Sequence, residues 1–308
     1  MGHEFEFYLL DGETRKPLFD GLHIFNTTRN DYTDFAQPLL DNLREMGVDV
    51  ITHNCEYAGS QYETNFGPGV GVVGADKAFT FKNAVKEMAH LQGYLATFMT
   101  KPWTDSAGSG CHVHLSLTHK RGGRNAFSNS KEREREGLSP TGRQFVAGIL
   151  AHAGAMMALC APTPNCYHRT KPHTFAPSNI SWGIEDRTAL VRIKDPGNDK
   201  CHIEMRGASA MSNPYLSAAA VLAAGLLGVK RKLKLAPQVD GPSEEDPSLP
   251  KLPQSLDESL SALEADAEMR TMLGEDLIKL FTTVKRFELA RLRGHVTDWE
   301  RAEYLELY

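Results

Sequence analysis

Carboxylates, imidazoles and guanidiniums recur along this chain at spacings that gather them on shared faces, and together they have the chemistry of a divalent-metal and phosphate site. The opening Met1-Gly2-His3-Glu4-Phe5-Glu6-Phe7 reads as a strand, and its alternation sends Glu4 and Glu6 to one side. Standing alone, two such glutamates would equally be a solvated pair on an edge strand. Phe5, Phe7, Tyr8, Leu9 and Leu10 imply a strand covered on both faces, where an ionised carboxylate needs a cation or a set of donors to offset its desolvation. Glu56 and Glu63 bracket a loop that Gly59 and Ser60 allow to turn. The run Ala107-Gly-Ser-Gly-Cys-His112-Val-His114 joins a Gly-rich loop, able to approach phosphate through its N–H groups, to two imidazoles; by itself a His-x-His strand is as often structural. Arg169, Arg187, Arg192 and Arg206 lie in segments with apolar neighbours, and buried guanidiniums demand an anionic partner. Oxygen ligands for hard cations, arginines for phosphoryl oxygens and a glycine loop suit phosphoryl transfer from a metal nucleotide.

The elements that must position these groups follow from periodicity. Strands are expected at Glu4 to Leu10, Val48 to Thr52, Tyr94 to Met99, Cys111 to Leu117, Thr188 to Lys194 and Cys201 to Arg206. Helices are expected at Thr33 to Met46, with Asp34 near its start, at Gly74 to Gln92, as one long rod from Pro140 to Cys160, and at Asn213 to Leu233. Residues 120 to 140 read as an exposed excursion, and 237 to 253, rich in Pro, Ser and acid, as a surface linker. Helices around Leu256 to Leu273, Asp276 to Arg293 and Asp298 to Tyr304 complete the chain. Strands mixed with helices, then helices alone, give an α+β class, and the length can hold one large domain or two of ordinary size.

With 308 residues, 41% of them hydrophobic, the chain can bury a full core. A net charge of −5 with dispersed basic residues gives no field for nucleic acid, so no nucleic-acid partner is expected. The longest weakly polar stretches fall short of the ~20 residues of a membrane span, so no membrane partner is expected. Five irregularly spaced cysteines suggest no disulfide framework, and a cytoplasmic location is the expectation.

Taken in order, these segments resemble the catalytic domain of the glutamine synthetase family over nearly the whole chain. The family's Gly-x-Glu-x-Glu-Phe strand is matched by Gly2 to Phe7, its Glu-x-x-Pro-Gly-Gln-x-Glu loop by Glu56 to Glu63, and its Asn-Gly-Ser-Gly-Met-His-x-His segment by Ala107 to His114. Its Asn-x-Tyr-Lys-Arg is matched by Asn165 to Arg169, its Asn-Arg-x-x-x-x-Arg by Asp186 to Arg192, and its Ile-Glu-x-Arg followed by Asn-Pro-Tyr by Ile203 to Tyr215.

The resemblance implies a curved antiparallel sheet flanked by helices, the fold type shared with guanidino kinases, with the metal site on its concave face. It implies that Glu6, Glu56 and Glu63 hold one Mg2+ or Mn2+ ion and that Glu4, His112 and Glu204 hold a second. His114 and Arg192 would serve ATP, Arg187 would steady the transferring phosphoryl group, and Arg169, Arg206 and the Gly108 backbone would hold glutamate. In family chemistry the γ-carboxylate attacks the terminal phosphate of ATP, and ammonia or a small amine then displaces phosphate from γ-glutamyl phosphate. The resemblance also implies a homo-oligomer, a double-ring dodecamer in the family. Read through the resemblance, residues 1–308 are expected to form one catalytic domain that begins at the catalytic strand and lacks the family's N-terminal β-grasp domain.

Three positions depart from the family pattern, the first bearing on the acceptor and the other two on the glutamate and nucleotide contacts. Phe175 stands where ammonia-using members carry a proton-accepting glutamate, Ala107 where they carry a substrate-binding Asn, and His202 where they carry an arginine. Phe175-Ala-Pro with Trp182-Gly resembles the branch that joins glutamate to alkylamines, polyamines and related amines. The same departures leave open a non-catalytic relative of the eye-lens type, and the metal and arginine set alone would also suit an unrelated metal-dependent phosphotransferase.

Overall fold

Alternation in the first strand decides which side of the sheet becomes core and which becomes site. A computed structural model describes residues 1–30, 34–128, 137–194, 200–239 and 241–307. In β1 (Gly2–Asp11), Phe5, Phe7 and Leu9 are fully buried, and Glu4, Glu6 and Tyr8 take the other face. The Phe5 ring packs on Phe66, Phe81 and Phe98, an aromatic cluster covered by α1 (Ala36–Glu45) and α2 (Val73–Leu91).

Around β1 the described residues form an eight-stranded sheet from β2 (Val50–Cys55), β3 (Gln61–Phe66), β4 (Tyr94–Thr97), β5 (Cys111–Leu115), β6 (Trp182–Ile184), β7 (Val191–Lys194) and β8 (His202–Met205). The order is β2-β3-β1-β5-β8-β7-β6. β1 is long enough to share one edge: its first half pairs with β5 and its second half with β4. All pairs are antiparallel except β6 with β7.

A second core lies under β5, β7 and β8, where Val113, Leu115, Val191, Ile193, Ile203 and Met205 point to the helices. Those helices are α3 (Pro140–Ala151), α4 (Ala153–Cys160), α5 (Pro214–Arg231), α6 (Leu256–Ala265), α7 (Ala267–Leu273) and α8 (Glu275–Arg293); α9 (Asp298–Tyr304) follows and buries no residue. The backbones of α3 and α5 meet at glycines: a Cβ on Gly148 would fall 2.2 Å from the Ala224 carbonyl oxygen, so no larger residue permits this approach.

Several expectations are corrected. The rod expected from Pro140 to Cys160 is two helices bent by 76° about His152, whose Nδ1 lies 2.6 Å from Asp266 Oδ2. Asp266 also splits the expected Leu256 to Leu273 helix, because its other oxygen accepts from the Met269 N–H and caps α7. Glu56 to Glu63 is not all loop: β3 begins at Gln61, and Glu63 stands in the sheet. β6 went unanticipated because its three residues are too few to show a period. The first helix starts at Ala36, and Asp34, in the left-handed region at φ 53°, does not cap it; Thr33 lies outside the described residues.

Residues 129–136 of the expected excursion also lie outside them, while Phe127 and Leu138 at its ends are buried in the core. The described part of 237–253 is pinned rather than loose. Ser243 Oγ donates to Asp186 Oδ2 at 2.5 Å, and Lys251 Nζ to Asn179 Oδ1 at 2.9 Å. All five cysteines are buried with no disulfide among the described residues, and no single helix among those residues is long and apolar enough to cross a membrane.

Candidate active site

Sheet register, more than any loop, assembles the site. Glu63 of β3 stands opposite Glu6 of β1, and Glu4 opposite His112 of β5; His114 stands opposite Glu204 of β8, itself opposite Arg192 of β7. Because each strand alternates, these side chains fall in one file across five strands, on the face away from the second core. Glu56 joins from the turn after β2, its own Oε2 accepting from the Tyr57 N–H at 3.0 Å.

His112 Nδ1 lies 2.7 Å from Glu4 Oε1 and 3.5 Å from Glu204 Oε1, and its Nε2 lies 3.3 Å from Arg169 Nη2. A guanidinium only donates, so Nε2 is the accepting nitrogen and Nδ1–H donates to Glu4, which defines the tautomer of this ring. His114 Nε2 lies 3.4 Å from Glu4 Oε2. Ligand atoms of Glu4, His114 and Glu204 all come within 4.8 Å of one another. The resemblance names His112 as the third member of that set; here His112 is held between Glu4 and Arg169, and His114 completes the close trio. Glu6, Glu56 and Glu63 surround the neighbouring space without converging as tightly.

Three buried arginines close the other side. Glu204 accepts from Arg192 Nη1 at 3.1 Å and from Arg206 Nη1, and Arg192 also reaches Glu185. Arg169 Nη1 donates to the Arg206 carbonyl at 3.2 Å. The Nε atoms of Arg192 and Arg206 are buried without partners. Arg187 is exposed on the loop before β7. The glycine loop is held by Gln61, whose Nε2 donates to the Gly108 carbonyl at 3.1 Å, and by the Gly110 N–H, which donates to Glu6 Oε2 at 2.8 Å. A Cβ on Gly110 would fall 2.5 Å from Arg169 Nη2, so the loop must be bare there.

The charges are unevenly shared. Burial would raise Glu204, but His112, Arg206 and His114 bring it down to about 2; burial would also raise Glu4, and the same imidazoles hold it well below the usual carboxylate range. Burial pushes Glu56 up to about 7, with Glu6 adding to the effect. Burial and the nearby Glu4, Glu6 and Glu56 push Glu63 up to about 10. The arginines neutralise one end of the file, and the Glu56–Glu63 end is left with carboxylates facing carboxylates. Oxygen donors with imidazole at the margin fit Mg2+ or Mn2+, which would relieve that crowding.

Sequence reasoning had given Gln61, Tyr8 and Glu185 no role. Tyr8 shares the face of Glu4 and Glu6, and its hydroxyl donates to the Ala107 carbonyl at 2.6 Å, so alternation could have placed it. Nothing in the spacing signals the Glu185–Arg192 pair.

Comparison with known proteins accords with this arrangement. Residues 1–304 match the family model for the glutamine synthetase catalytic domain. The glutamine synthetase of Halobacterium salinarum is 33% identical over 320 residues, covering 100% of this chain and 70% of the relative. The gamma-glutamylanilide synthase of Acinetobacter sp. is 36% identical over 289 residues, covering 89% of this chain and 57% of the relative. A solved structure of GmaS with ADP, in conformation 1, superposes with a TM-score of 0.89 at 30% identity, covering 99% of this chain and 72% of the other. GmaS without ligand gives the same TM-score at 31% identity.

Proposed function

The chain belongs to the glutamine synthetase family of ligases, and on that footing we propose that it joins glutamate to an amine, using ATP and passing through γ-glutamyl phosphate. One observation carries this reading: Glu4, Glu6, Glu63, His112, His114 and Glu204 lie in a single cross-strand file that ends on buried arginines. Burying so many carboxylates is costly unless cations meet them, and a chain with no use for metal gains nothing from the cost.

In this reading Glu6, Glu56 and Glu63 hold one divalent ion, and Glu4 and Glu204 hold a second with an imidazole from His112 or His114. When bound, the ions supply positive charge to the phosphate oxygens of ATP. The chain's own groups do the positioning. Arg169 and Arg206, tied to each other through the Arg206 carbonyl, bind the glutamate carboxylate beside the Gly108 backbone. His114 and Arg192 face the nucleotide, and exposed Arg187 swings onto the phosphoryl group as its charge spreads. The double-ring assembly and the cytoplasmic location expected from sequence stand as parts of the same proposal.

Phosphate release from ATP with glutamate, magnesium and a panel of amines tests the reading, with Glu204→Ala as the blank. Release that requires both glutamate and an amine, and is lost in the variant, is expected. Magnesium-nucleotide binding without turnover for any amine would instead support the non-catalytic relative.

A further inference from the structure

Four exposed apolar side chains converge on one cleft. Leu22 (59% exposed), Tyr57 (41%), Trp103 (37%) and Phe175 (63%) line a cavity of about 640 Å³ together with the Tyr8 ring. Their rings meet in two pairs drawn from four separate segments. Tyr57 and Phe175 lie with centroids 4.7 Å apart, and Tyr8 and Trp103 meet edge to face at 5.5 Å.

The cleft is continuous with the site. Ala107 and Gly108 line it, the Tyr8 hydroxyl holds the Ala107 carbonyl, and the Phe175 carbonyl accepts from Arg206 Nη2 at 3.4 Å. Phe175 sits in the left-handed region at φ 59°, a backbone conformation unfavourable for a bulky residue. Its ring stands exposed at the cleft, not in either core. Ammonium could not use such a surface, because it has no apolar area to bury against the rings. A volume in this range accommodates ligands of many heavy atoms.

We propose that the cleft selects an acceptor amine whose nitrogen is carried on a flat apolar body, an aromatic or arylalkyl primary amine, over ammonia and short alkylamines. The inference rests on the ligase reading above. In the step concerned, the lone pair of the neutral amine forms the C–N bond to the γ-acyl carbon and the C–O bond to phosphate breaks. Inorganic phosphate leaves with that electron pair, and the proton lost from nitrogen passes to water at the mouth of the cleft. Asp20 and Asp105 also line the cavity, which makes a diamine the competing outcome.

The test measures kcat/KM for benzylamine, methylamine, putrescine and ammonium, with glutamate, ATP and magnesium, using hydroxylamine as a small reference nucleophile. Benzylamine is expected to exceed methylamine and ammonium at least tenfold. In Trp103→Ala and in Phe175→Leu, which keeps an apolar side chain but removes the flat ring, the benzylamine-to-hydroxylamine ratio should fall at least fivefold, mainly through KM. Putrescine, methylamine or ammonium matching benzylamine would overturn the proposal, as would variants that scale every acceptor alike. Hydroxamate formation without a benzylamine preference would leave the ligase standing and remove this inference; no hydroxamate at all would remove both.

Discussion

Glu6 and Glu63 face each other directly across the β1–β3 ladder. Like charges so placed destabilise the sheet unless a proton or a metal ion lies between them. Glu63, pushed up to about 10, keeps its proton in the metal-free protein.

The sign of the pH dependence follows. Glu56 and Glu63, raised to about 7 and about 10, hold protons in the folded chain that the unfolded chain has released. Their contribution is fully present below the unfolded carboxylate pKa and is lost as pH rises through their folded values. With EDTA, Tm should therefore fall between pH 5 and pH 8. Saturating Mg2+ or Mn2+ should flatten the decline, so the metal-induced rise in Tm grows with pH. A metal-induced shift that is equal at pH 5 and pH 8 would contradict the assignment.

Glu63→Gln removes one of the facing charges and one of the proposed metal ligands together. The metal-free protein should melt no lower than the parent at pH 8, while the Tm increment from Mg2+ shrinks. Calorimetry with and without the ion separates the two effects.

Glu204 and Glu185 both pair with Arg192, but their settings differ. Glu204 is buried between two guanidiniums and Glu185 is half exposed. Glu204→Ala strands two buried cations and should cost about 3–5 kcal/mol in urea unfolding. Glu185→Ala should cost no more than about 1 kcal/mol, because Glu185 is half exposed and Glu204 still holds the buried Arg192.

Gly110→Ala places a methyl group against the Arg169 guanidinium and, 3.2 Å away, His112 Nε2. Displacing Arg169 should raise the KM for glutamate roughly tenfold or more, an effect of about 1.4 kcal/mol, while the KM for ATP moves less. Steady-state kinetics with each substrate varied in turn provides the check.

Asp266→Ala loses the α7 cap and the bond to His152 together, worth about 2 kcal/mol in sum. Asp266→Asn keeps a capping oxygen and should recover part of the loss. Equal melting temperatures for the two variants would mean that the cap contributes nothing.

Much of this architecture was legible because its signals are local. Alternation placed Glu4 and Glu6 together, and the apolar neighbours of Arg192 and Glu204 announced their burial. What stayed hidden depends on partners distant in sequence. His152 breaks a helix because Asp266, 114 residues later, reaches it. Gln61 holds the glycine loop across 47 residues, and around the bend the stretch Val146 to Cys160 is apolar apart from His152, so no periodicity marks the corner. The aromatic cleft was half visible: Phe175 stood out by its position, but its stacking on Tyr57 depends on how two turns meet in space.

The cross-strand file also makes the sheet check its own assembly. A one-residue slip of β1 would turn Glu4, Glu6 and Tyr8 toward Phe66, Phe81 and Phe98 and leave Phe5, Phe7 and Leu9 among the arginines. Such a chain would be unstable and would lose the candidate site at once. Misregistered molecules therefore remove themselves, and the population that survives has been sorted for correct pairing by the same side chains that line that site.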